Sequence, residues 1–153
     1  MLEKDEHNLY YIDVYTDILL AQKEYQVCLD MLEQQYLLRP NNQVVTLNYA
    51  NAALTSGAPR LAIHLLKSLL FYKSDNILAY DLLTQAYKAV GDFARFYEAR
   101  ADLAYQRADY PRAIDDLNEA LNHLKPEEKL ENRRLEAKKK QLQTEFSRLK
   151  KLN

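Results

Sequence analysis

Residues 42–57 read NQVVTLNYANAALTSG, and residues 76–91 read NILAYDLLTQAYKAVG. Each stretch opens on Asn, closes on Gly and contains no Pro. The interval from Asn42 to Asn76 also separates Ala50 from Thr84, Ala52 from Ala86 and Gly57 from Gly91. An Asn at a helix start can accept the free N–H groups of the first turn. A Gly at a helix end takes positive φ without the ~1–2 kcal/mol that an L-residue would incur. Each stretch therefore reads as one helix, about 43–56 and 77–89.

The interval continues outward. It separates Asn8 from Asn42, Leu32 from Leu66 and Tyr15 from Tyr49. Thr16 joins Ala50 and Thr84, while Tyr25, Pro59 and Phe93 hold a second register. Such a 34-residue period marks the tetratricopeptide (TPR) unit, a helix–turn–helix that buries its apolar side by stacking on its neighbours. Thr16, Ala50, Thr84, Cys28 and Ala62 are small where two helices must approach closely; a larger side chain there would overpack by roughly 1–3 kcal/mol. Pro40 falls just beyond a helix end, where it cannot continue the ladder.

The expected fold is all-α: a TPR-type α-solenoid of antiparallel helix pairs with a long C-terminal capping helix. Helices are expected at about 9–21, 25–38, 43–56, 59–72, 77–89, 92–107, 110–124 and 127–151. At 153 residues, one domain over 1–153 is expected. Its repeats span about 9–40, 43–74, 77–107 and 93–124. The last two share a helix, because Ala108-Asp109-Tyr110 repeats the pattern of Gly91-Asp92-Phe93 after only half a period. Lys125-Pro126-Glu127-Glu128 reads as a break and restart. The capping helix, about 127–151, presents Leu135, Leu142, Phe146 and Leu149 as its apolar stripe. From residue 125 onward there are ten basic and five acidic residues, a local +5 against a total of −1. That pattern reads as one packed face and one solvated face.

Composition excludes several function classes. Two Gly and four Pro leave few turns for a β fold. A net charge near zero gives no basic footprint for nucleic acid, and no stretch approaches 18 apolar residues, so no membrane span is expected. The lone Cys28 precludes an internal disulfide and reads as a core thiol. His7, His64 and His123 make no i, i+4 pair, so no helical zinc site forms. Asp115 and Asp116 are adjacent on a helix and point to different faces. There is no glycine-rich phosphate loop. No catalytic residue, metal ligand or cofactor site is expected in this chain.

The first helix of each TPR pair lines the concave face. Its second, fifth, ninth and twelfth residues are exposed there. This gives Tyr10, Asp13, Asp17 and Leu20; then Val44, Leu47, Asn51 and Leu54; then Leu78, Asp81, Gln85 and Lys88. The shared helix adds Arg95, Glu98, Asp102 and Tyr105. Val44, Leu47 and Leu54 make an apolar patch of the kind that marks interaction sites. Asp13, Asp17 and Asp81 would repel a carboxylate ligand, so a module gripping C-terminal carboxylates is excluded. The acids steer and discriminate more than they hold.

Narrower features carry a family resemblance. They are Val44 to Leu54 with Ser56-Gly57, Ala79-Tyr-Asp-Leu-Leu-Thr-Gln-Ala86, and the half-period join from Arg100-Ala-Asp-Leu-Ala-Tyr105 to Tyr110-Pro-Arg-Ala-Ile114. Arg133, Arg134 and Lys140-Gln-Leu142 complete the set. Together they resemble the C-terminal TPR domain of the β-barrel assembly-enhancing protease family, over roughly residues 8–150. The resemblance implies a longer periplasmic parent with a signal peptide and an HExxH zinc peptidase domain upstream. The zinc would belong to that domain, and this chain would supply no catalytic residue. It also implies a chaperone-like role and protein partners: the β-barrel assembly machinery, outer-membrane protein substrates and the parent's own peptidase domain. The other reading is a stand-alone TPR scaffold, cytosolic or pilus-associated, with no enzyme attached. Leu9, Tyr11, Ile12 and Tyr15 look ready to pack on a preceding helix, which favours a fragment of a longer chain.

Overall fold

The computed structural model describes residues 2–152, with side chains from Leu9 onward. All secondary structure among them is helical: α1 (Leu2–Ala21), α2 (Tyr25–Leu38), α3 (Gln43–Thr55), α4 (Pro59–Tyr72), α5 (Ile77–Val90), α6 (Phe93–Gln106), α7 (Tyr110–Asn122) and α8 (Lys129–Lys150). Consecutive helices pack in pairs, as in TPR-like arrays. The chain forms two compact units, Met1–Ala86 and Tyr87–Asn153.

Three boundaries depart from expectation by two residues or more: the starts of α1 and α8, and the end of α7, which stops at Asn122 rather than 124. α1 begins at Leu2, not near residue 9, so Asn8 lies within the helix rather than ahead of it. Neither Gly nor Pro interrupts residues 2–8, and nothing there ends a helix. The side chains of His7 and Asn8 fall outside the described residues. α8 begins at Lys129, not 127. Glu128 turns back to accept the Lys125 N–H at 2.9 Å, so Glu127 and Glu128 precede the first turn.

The other caps follow their residues. Asn42 Oδ1 accepts the Val45 N–H at 3.1 Å, and Asn76 Oδ1 accepts that of Ala79 at 2.8 Å. Gly57 and Gly91 adopt φ of 83° and 72°. Lys23, one full repeat before Gly57, adopts φ of 60°. The repeat thus fixes the backbone conformation even where Gly is missing. Ala108 does the same at φ 58°. Asp109, which follows it, accepts the Arg112 N–H at 3.3 Å as Asp92 accepts that of Arg95 at 3.2 Å. The half-period echo is therefore the same turn built twice, one helix apart.

In the first unit, α3 packs against α1, α2 and α4. Its core includes Ile12, Leu32, Val45, Leu65, Leu66 and Leu69, all exposed by 2% or less. Burying each such side chain contributes roughly 1.5–3 kcal/mol. The small register positions Thr16, Cys28, Ala50 and Ala62 are sealed completely, and burial pushes the Cys28 thiol pKa up. The Thr16 hydroxyl is buried without a hydrogen-bond partner. In the second unit, Ala101, Ala104, Ala113, Leu117 and Ala120 close α6 on α7, and Leu135 and Leu142 seat α8. Phe146 stacks on Tyr110 at 5.6 Å, while Leu149 stays 40% exposed. Asp116 is buried in a bidentate pair with Arg100, and Asp115 is exposed, so the two acids do part company.

Candidate protein-binding groove

Within the first unit, α1, α3 and α5 frame a cavity of about 510 Å³. Of the expected groove residues, Tyr10, Asp13, Val44, Leu47, Asn51 and Leu78 line it. Three more lining residues, Leu9, Asn48 and Leu82, were not among them. The fixed positions along each helix capture one row of side chains. A concave wall also admits the next row, to which Asn48 and Leu82 belong. Leu9 lines the cavity, and Ile12 is 2% exposed. Tyr11 and Tyr15 stack on each other at 5.4 Å.

The lining is mainly apolar and partly open. Tyr10 is 73% exposed and Leu78 53%, whereas Leu82 is buried. One carboxylate stands among these groups. Asn48 donates to Asp13 Oδ1 at 2.9 Å and to the Val44 carbonyl at 3.1 Å. This fork ties α1 to α3 and orients one Asp13 oxygen. Asp17 is exposed one turn further along α1, outside the cavity lining. Asp81 accepts from Gln85 at 3.0 Å. Leu54 is half-buried and Lys88 exposed, and neither lines the cavity.

The second unit disposes of its expected groove residues differently. Glu98 accepts two Arg134 N–H bonds at 2.7 Å and one from Lys138 at 3.0 Å. Lys138 also reaches Asp102 at 2.7 Å. Tyr110 donates to Glu145 at 2.7 Å, with Tyr105 at 3.4 Å from the same oxygen. Glu98, Asp102 and Tyr105 are thus engaged by α8 of their own unit. Part of the basic character of α8 is spent in this way.

The carboxyl pKa values record the arrangement. Burial pushes Glu98 up, but the bonds from Arg134 and Lys138 outweigh it and hold it at about 2. Asp102 goes the other way: burial raises it, and its share of Lys138 does not compensate. The hydrogen bond to Glu145 pushes Tyr110 up to about 12. Among the described residues, no group of three His, Cys, Asp or Glu side chains could hold a metal ion. No described helix is long and apolar enough to cross a membrane.

No protein-family model matches the chain. Its sequence is 32% identical over 125 residues to the β-barrel assembly-enhancing protease of Escherichia coli K12, and 28% to that of Yersinia pestis. The chain is similar to β-barrel assembly-enhancing proteases. The alignment takes in 82% of this chain but 26% of each relative. The chain therefore corresponds to about a quarter of the length of these proteases, and the family resemblance read from the sequence is met at that level.

Proposed function

We propose that this chain is the protein-holding module of a periplasmic metallopeptidase and chaperone acting in outer-membrane β-barrel assembly and quality control. Its partners would be the assembly machinery, unfolded outer-membrane protein segments or the parent's own peptidase domain. The reading rests on one observation above all: an open apolar cavity carrying a single oriented carboxylate, Asp13. Apolar walls give affinity without demanding a sequence, which suits unfolded client segments. Asp13, with Asp17 beside it, favours segments bearing Lys or Arg and disfavours acidic ones. The similarity to β-barrel assembly-enhancing proteases supplies the setting. Catalysis would reside elsewhere in the parent.

The test is fluorescence anisotropy with labelled peptides of alternating apolar character, one flanked by Lys and one by Glu. Val44→Asp with Leu47→Asp should weaken both at least tenfold, since each places a charge in an apolar wall. Asp13→Lys with Asp17→Lys and Asp81→Lys should reverse the preference between the peptides and leave helical circular dichroism unchanged. Equal binding by all forms would remove the groove from the account.

A further inference from the structure

α2 and α4 occupy the same place in successive repeats, and α3 packs against both. Their buried sides correspond residue for residue, Cys28 with Ala62 and Leu32 with Leu66. Their exposed sides therefore point the same way, and none of their residues lines the groove. These exposed sides differ in one respect. α2, YQVCLDMLEQQYLL, contains no basic residue, and α4, PRLAIHLLKSLLFY, contains no acidic one. On α2 the outward stripe carries Asp30, Glu33 and Leu37; at the same three repeat positions α4 carries His64, Lys67 and Phe71, all exposed. At the helix ends Leu37 and Leu38 are each 73% exposed, Phe71 83% and Tyr72 61%. Four large apolar side chains at the C-terminal ends of two helices in equivalent repeat positions are more than scattered surface residues explain.

We infer that this face docks a second copy of the chain, in a twofold dimer whose axis runs parallel to α2 and α4. That rotation exchanges the two helices and keeps their direction. It sets α2 of one copy against α4 of the other, twice. Asp30 and Glu33 then oppose the partner's His64 and Lys67, and the Leu37–Leu38 end meets the Phe71–Tyr72 end. A twofold axis across the helices would instead set acid on acid and base on base. The charge pattern thus selects one self-complementary geometry, as a closed homodimer requires. Two 14-residue helices are about 21 Å long. The face covers on the order of 400–500 Å² per copy, at the weak end of specific interfaces. The dimer is accordingly a concentration-dependent one, with a dissociation constant in the micromolar range.

Sedimentation equilibrium of the 153-residue chain tests this with two charge variants. Asp30→Lys with Glu33→Lys makes both helices basic, and His64→Glu with Lys67→Glu makes both acidic. The wild type should self-associate at low salt and loosen about tenfold in 0.5 M NaCl. Each variant alone should be monomeric, and the two mixed 1:1 should form a heterodimer, because each then finds its complement twice. A wild type that stays monomeric at 200 μM in low salt overturns the inference. So does self-association by both variants at wild-type strength, which would assign the contact to another surface. Circular dichroism of each variant confirms that the helices persist, as expected for substitutions at exposed positions.

Discussion

Glu98→Gln isolates the interaction that secures α8 to α6. The neutral amide keeps the size of the side chain and removes the charge that Arg134 and Lys138 share. The Glu98 carboxyl lies at about 2 in the folded protein against an ordinary 4.5. At ~1.36 kcal/mol per tenfold, this sets a ceiling of about 3.4 kcal/mol on the stabilisation. Arg134 is 48% exposed and Lys138 28%, so solvent screening removes roughly half, leaving about 1–2 kcal/mol. A group held below its ordinary pKa stabilises above pH 4.5 and loses that contribution as the pH falls through about 2. By pH 3 about two-fifths of the neutral-pH contribution should remain, and by pH 2 about an eighth. Asp102 acts in the opposite sense. Burial raises its carboxyl above 3.8, so its ionisation costs stability at neutral pH, and acid relieves that cost. Glu98 itself helps raise the Asp102 carboxyl and shares Lys138 with it, so Glu98→Gln also eases part of that cost and places the expected gap toward the lower end of the range. Urea titrations should give a midpoint lower by about 0.5–1 M for the variant at pH 7, with the gap closing toward pH 3. A gap that stays constant or widens on acidification would refute the reasoning, as would a shift below about 0.2 M at pH 7.

The remaining predictions concern backbone and core. Lys23→Gly and Ala108→Gly should each raise stability by up to about 1 kcal/mol in thermal melts, because both positions hold positive φ in an L-residue. Gly57→Ala should lower it by about 0.5–1.5 kcal/mol; nothing lies within 4 Å of the added Cβ, so the cost is purely conformational. Thr16→Val should be neutral or stabilising by up to about 1 kcal/mol in urea unfolding, since it deletes a buried unpartnered hydroxyl at constant volume. Cys28 should resist an aromatic disulfide reagent in the native protein and react rapidly in denaturant, because it is fully buried and its thiol pKa is raised.

The helices were legible because their punctuation is local. Asn42, Asn76, Asp92 and Asp109 cap the turns they precede, and Gly57 and Gly91 take the positive φ that only a turn there explains. The start of α1 was not legible, since the Asn8 register marks a repeat position and the chain before it lacks any stop signal. At the candidate site, six lining residues followed from helical position alone, and Leu9, Asn48 and Leu82 did not. Which rows of a helix face a cavity depends on how neighbouring helices are rotated, and one helix's sequence does not carry that.

The repeat period by itself determined the fold class, because each repeated residue answers to a constraint within its own helix pair: a cap, a positive φ, a close approach. The sequence also placed five basic charges in excess from residue 125 onward without saying what they face. Only the tertiary structure decided that. Arg134 and Lys138 meet Glu98 and Asp102 across 36 to 40 residues of chain, and α8 is seated on α6 through them. Capping depends on neighbours three or four residues away, whereas ion pairing depends on where another helix comes to rest. The first is written in the order of the residues; the second arises only when the helices pack.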